Sequence, residues 1–138
     1  MSGKVGFMQG RLSDLIKNKI QAFPSKTWAD EFSKAAELGF NIMEWTLDYE
    51  NIYENPLLIK NNHNLIRDLM KKYLIQIPSL TGDCFMQKPF WKSQNLGNEN
   101  LKKIFIDVVK SSSELGIKYI VKIGIYAIKI KSILQLHI

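Results

Sequence analysis

The chain has 138 residues, of which 46% are apolar and 23% charged. This is the composition of one ordinary globular domain, not of a disordered chain. A single cysteine, Cys84, excludes a disulfide scaffold, and no run approaches the roughly 18 apolar residues of a spanning helix. The formal charge is +6, but Lys118, Lys122, Lys129 and Lys131 lie within residues 117–138 without an acid, and the remainder balances at 15 basic to 13 acidic residues. A basic tail is not a basic groove, which argues against a nucleic-acid partner.

The opening MSGKVGFMQGRLSD lacks the basic flank and apolar run of a signal peptide, so a reducing cytoplasm and no membrane partner are expected. Val5–Gln9 is apolar and followed by Gly10, and reads as a first strand. Residues 10–26 read as a loop carrying the apolar island Ile20-Gln21-Ala22-Phe23, stopped by Pro24. A helix is predicted from Thr27, a capping residue with Asp30 three positions on, to Leu38, with Trp28, Phe32, Ala35 and Ala36 on one face and Gly39 as its stop.

Ile42–Thr46 reads as the second strand, residues 47–57 as a polar loop, and Asn62–Tyr73 as the second helix, with Leu65, Ile66, Leu69, Met70 and Tyr73 at helical spacing. Leu74–Leu80 is the third strand, with Pro78 expected near its end or at a bulge because proline cannot donate to the ladder. A long loop over 81–97 precedes a third helix over 98–115, which Gly116 ends, and a fourth strand begins at Lys118. After Val121 this grammar breaks. Residues 122–138 form an irregular tail, readable as a strand with a fraying end, as a truncation, or as the product of a frameshift near codon 122.

Strands starting near 5, 42, 74 and 118, separated by helices, predict an α/β fold of parallel βα repeats. Four strands and three helices are about half of an eight-stranded βα barrel, which takes about 250 residues. An open four-stranded sheet is the alternative. In either, function belongs at the C-terminal ends of the strands.

The segments GFMQGRLS, KIQAFP, TWADEFSKAAELGFNIMEWTLD and QIPSLTGDCFMQKPF, in this order over about residues 4–121, resemble the sugar phosphate isomerase/epimerase family. That family is the xylose-isomerase-like TIM-barrel group, which also holds the endonuclease IV branch of DNA repair. The resemblance implies a divalent-metal enzyme moving protons on a sugar or sugar phosphate. Its Glu, Asp and His metal ligands come from the second half of the barrel, so none is carried over to this chain. What it offers here are first-half, substrate-side positions: Gln9, Arg11, Glu44, Trp45 and Asp83.

Read by their chemistry, Glu44 and Asp83 are carboxylates near neighbouring strand ends that could bind sugar hydroxyls, or equally pair with nearby cations and amides. Arg11 could grip an anion or pair with Asp14. Trp45, Phe85, Phe90 and Trp91 could wall a sugar pocket, Trp45 and Phe85 being the nearest to strand ends, or could serve as packing. His63 and His137 have no partner at metal spacing, and Cys84 beside Asp83 reads as a quiet thiol. The expectation is a half-barrel inactive as an isomerase by itself. It would bind a sugar, act as a non-catalytic sugar-binding or interaction module, or be a DNA-repair relative of the endonuclease IV branch, with both sheet edges open to self-association or a complementing chain.

Overall fold

A computed structural model describes residues 3–19, 22–89, 98–122 and 126–130; of Lys122 and residues 126–129 it gives the backbone alone. The apolar island at Ile20 and Gln21, Phe90, Trp91, His137 and residues 131–138 lie outside the described residues. The element order is β1 (Gly6–Met8), α1 (Asp30–Glu37), β2 (Ile42–Thr46), three 3-10 turns over 52–62, α2 (His63–Tyr73), β3 (Gln76–Thr81), α3 (Asp83–Gln87), α4 (Glu99–Glu114), β4 (Tyr119–Lys122) and β5 (Tyr126–Lys129).

The sheet order is β1-β2-β3-β4-β5. The first three pairings are parallel and the last antiparallel. Each parallel crossover steps to the next neighbour without reversing, which places the crossover helices on one face of the sheet. Phe32 and Ala35 of α1, Ile66 of α2, and Leu101, Ile104 and Val108 of α4 share one buried cluster with Met43, Trp45, Leu80 and Ile120 of the strands. The fold is therefore α/β, as the repeat spacing predicts, and its open parallel sheet is compatible with half a barrel. No helix among the described residues is long and apolar enough to cross a membrane.

The three crossover helices end with one device. An amide just past each helix end reaches back into the last turn: Phe40 N to Ala35 O at 2.9 Å, Ile75 N to Met70 O at 3.0 Å, and Ile117 N to Ser112 O at 2.9 Å. The residue before each of these sits at positive φ. Gly39 (φ 80°) and Gly116 (φ 77°) fill that position at no steric cost, but after α2 it is Leu74 (φ 55°). Leu74 is also 78% exposed, so it packs little in return. Leu74→Gly is expected to stabilise the fold by about 0.5–1 kcal/mol, since relief of left-handed strain exceeds the added backbone entropy. A raised urea midpoint at unchanged slope is the readout.

Four sequence expectations are corrected. Thr27 is not a helix cap: its hydroxyl donates to Ser13 Oγ at 2.9 Å, residues 25–29 form turns, and α1 begins at Asp30. The 81–97 loop contains α3, because Phe85 turns inward onto Phe105 with ring centroids 5.3 Å apart. The tail is not irregular where it is described, since β5 pairs with β4 over four residues. The edge of β4 is consequently covered, and among the described residues the sheet ends on β1 and on the outer side of β5. Pro78 stands as expected at a bulge. Between the pairs Ile42↔Gln76 and Glu44↔Ser79, β3 spends one residue more than β2.

Candidate functional site

Side-chain parity along the strands sorts the predicted site. Phe7, Met43, Trp45, Leu80 and Ile120 face the helices, and alternation sends Met8, Glu44, Thr46, Ser79, Thr81 and Val121 to the other face, the interior of a closed barrel. On that face Glu44 accepts from Ser79 Oγ at 2.7 Å through one carboxylate oxygen and from Thr81 Oγ1 at 2.5 Å through the other. The register that places Glu44 beside Ser79, and Thr46 beside Thr81, brings two hydroxyls to one carboxylate.

Gln9 closes the top of β1 against β2. Its amide donates to the Glu44 carbonyl at 2.9 Å, its Oε1 accepts from Thr46 N at 3.1 Å, and its carbonyl accepts from Thr46 Oγ1 at 2.9 Å. It is 1% exposed, and its Nε2 has no hydrogen-bond partner among the described residues. Gln9 is thus a strut between strand ends.

The β1–α1 loop is tied down by Glu31, a buried residue of the first turn of α1 that the sequence reading does not single out. Gly10 N donates to both of its carboxylate oxygens at 2.9 Å, and Leu12 N to one at 3.0 Å. Burial raises the Glu31 pKa above its ordinary 4.5, against the lowering effect of the Gly10 and Leu12 amides, the Ser13 hydroxyl and Lys34. The amide cradle beside Arg11 is therefore filled by an internal carboxylate. Arg11 itself is exposed and makes no ion pair with Asp14 or any other acid among the described residues.

The β2–α2 loop leaves β2 through buried Leu47 and half-buried Asp48. Asp48 accepts from Phe23 N at 2.8 Å and from Gln87 Nε2 at 3.3 Å, and Tyr49 N donates to Gln87 Oε1 at 2.8 Å. A cleft of about 380 Å³ opens between this loop and the β1–α1 loop, lined among others by Phe23, Asp48, Glu50, Glu54, Asn55 and Gln87. An exposed ion pair, Lys17–Glu50 at 3.6 Å, lies on its rim.

Two predicted pocket walls are elsewhere. Trp45 is fully buried on the helix side, 5.8 Å from both Phe23 and Trp28 by ring centroids, with its indole N–H donating to Asn55 Oδ1 at 3.0 Å. It cannot face the same side as Glu44, its neighbour in an extended strand. Phe85 is 4% exposed and packs under α4. Asp83 stands in the first turn of α3, buried, two residues past Thr81 and off the strand that carries it. Burial pushes the Cys84 thiol far up, and Asp83 and Asp48 push it further, so it is a core residue without nucleophilic character.

His63 ties the helical layer together. Its Nε2 lies 2.7 Å from the Leu57 carbonyl, which can only accept, so Nε2 carries a proton; Nδ1 faces Glu114 Oε2 at 3.2 Å. No three His, Cys, Asp or Glu residues among those described come together to hold a metal ion. Both oxygens of Glu44 are also engaged by hydroxyls. The described residues do not fit a divalent metal. No family model matches the chain, and no curated protein matches it.

Proposed function

We propose that the chain binds a sugar or sugar phosphate at the C-terminal ends of its strands, as the N-terminal half of a barrel of the sugar phosphate isomerase/epimerase kind, without turnover by itself. The observation that supports this best is Glu44, set on the sheet face away from the helices and receiving two hydroxyl donors. A carboxylate accepting two O–H bonds side by side is the arrangement that a vicinal diol offers, and Ser79 and Thr81 make those bonds in the free chain. Gln9 and Thr46 fix the strand ends around it, and the resemblance in sequence supplies the substrate class. The same resemblance puts the metal ligands on strands beyond β4, which is why proton transfer is not assigned to any residue described here.

The test is a titration of the 138-residue chain with a panel of pentoses, hexoses and their phosphates, followed by backbone amide shifts. Shifts at residues 44–48 and 79–83 are expected. Glu44→Gln should weaken binding about 10-fold or more, the value of one hydrogen bond to a charged group. Saturable binding that Glu44→Gln leaves untouched, or isomerase turnover by this chain with added divalent metal, would sink the reading.

A further inference from the structure

The two ends of the parallel run β1 to β4 are unlike. On β4, Tyr119 faces Lys129, Ile120 faces Ile128, Val121 faces Ala127 and Lys122 faces Tyr126. The Ile130 amide then donates to the Lys118 carbonyl at 2.9 Å, and the Ile130 side chain is buried. β5 thus occupies, in antiparallel sense, the side of β4 on which a fifth parallel strand would pair. On the outer side of β1 no strand lies among the described residues.

A βα barrel closes at eight strands, and the described residues contribute four in parallel, sequential order. Two copies related by a twofold axis would bring β4 of each to β1 of the other, and eight strands would close. A strand edge pairs with one neighbour at a time, so β5 must leave first. The exchange trades one set of ladder hydrogen bonds for another, and such trades cost little net. What it gains is enclosure of the sheet face opposite the helices, which carries Glu44, half-buried Met8 and Val121, and Tyr119 at 39% exposure.

We propose that β5 is an autoinhibitory strand. It holds the β4 edge, keeps the chain single, and on release admits β1 of a second copy in parallel. The proposal rests on the half-barrel reading above, but not on what the strand ends bind.

Val121→Cys with Ala127→Cys places a disulfide across facing positions of the 138-residue chain and locks β5 when oxidised. Buried Cys84 does not compete. Ala127→Pro with Ile128→Pro breaks the ladder, because neighbouring amides point to opposite sides and one of the two must face β4. Light scattering after size exclusion should give a single-chain mass for the wild type and the oxidised lock, and a doubled mass for the proline chain. If the proline chain loses its helical circular dichroism, Ala127→Gly with Ile128→Ser replaces it and should give the same doubled mass. A folded, β5-weakened chain that stays single overturns the proposal, as does an oxidised lock that dimerises. A chain that dimerises on release of β5 but binds no sugar would overturn the functional reading and leave this one standing.

Discussion

Glu31→Ala is expected to destabilise the fold by about 3 kcal/mol. The substitution strands the Gly10 and Leu12 amides, and a buried donor left unmade costs about 1–3 kcal/mol. The loss is a large part of the roughly 5–15 kcal/mol that holds a domain of this size. Water cannot easily take over, since the chain is tight here. Gly10 sits at φ 96°, and a Cβ on it would come within 2.5 Å of the Ala22 carbonyl oxygen. Glu31→Gln should cost about half as much, because its amide oxygen still accepts while its NH2 group faces a donor. Urea unfolding of the three chains measures both. Equal midpoints would show that the carboxylate is not what fastens the loop.

The same pair of chains gives a pH signature whose sign is fixed. Burial raises the Glu31 pKa in the folded chain, so between its ordinary 4.5 and the folded value the folded state binds more protons than the unfolded one. Stability contributed by Glu31 therefore falls as pH rises through that window. The difference in unfolding free energy, wild type minus Glu31→Gln, should decline with increasing pH above about 4.5. A difference that grows instead would mean that the amide hydrogen bonds outweigh burial and that the folded pKa is depressed.

The backbone plan is legible where local signals agree. β2 falls on Ile42–Thr46 as read, since an apolar run directly follows the Gly39 stop. α4 is bracketed by Asn98, whose side chain accepts from Asn100 N and Leu101 N, and by Gly116. The illegible parts depend on contacts distant in sequence. α3 is five residues long, too short for a periodic signal, and exists because Phe85 reaches Phe105. The residues of β5 read as extended, but its antiparallel sense follows from β4 being available beside it, not from its own residues.

For the site, the instructive pair is Glu44 and Trp45. Both sit near a strand end, and proximity to the end invites assigning both to a pocket. Period-two alternation allows only one of them to face it, and the burial of Met43 decides which. The same alternation run along QIPSLT would have set Ser79 and Thr81 together on one face, and pairing with β2 makes that face Glu44's. For Glu31 alternation gives no signal: nothing local distinguishes it from Asp30, and only the fold of a loop some twenty residues earlier gives it amides to hold.

Asn55→Leu is expected to cost about 3 kcal/mol and to loosen the strand ends together. Asn55 is 4% exposed and uses three of its hydrogen-bonding positions. Its Oδ1 accepts from Trp45 Nε1 and from Leu57 N, both at 3.0 Å, and its Nδ2 donates to the Thr46 carbonyl at 3.2 Å. Leucine matches the volume, so the loss comes from three orphaned polar groups and not from a cavity. Trp45→Phe removes one orphan at its source. The double variant should therefore be less destabilised than the sum of the singles, by about 1 kcal/mol in a double-mutant cycle. Strict additivity would show that the indole N–H is not held by Asn55. The effect should also reach ligand binding, because Thr46 is fastened on one side by Asn55 and on the other by Gln9, and Gln9 holds the Glu44 carbonyl. Weakened sugar affinity in Asn55→Leu, measured where the chain is still folded, would place Asn55 as a positioning residue for Glu44.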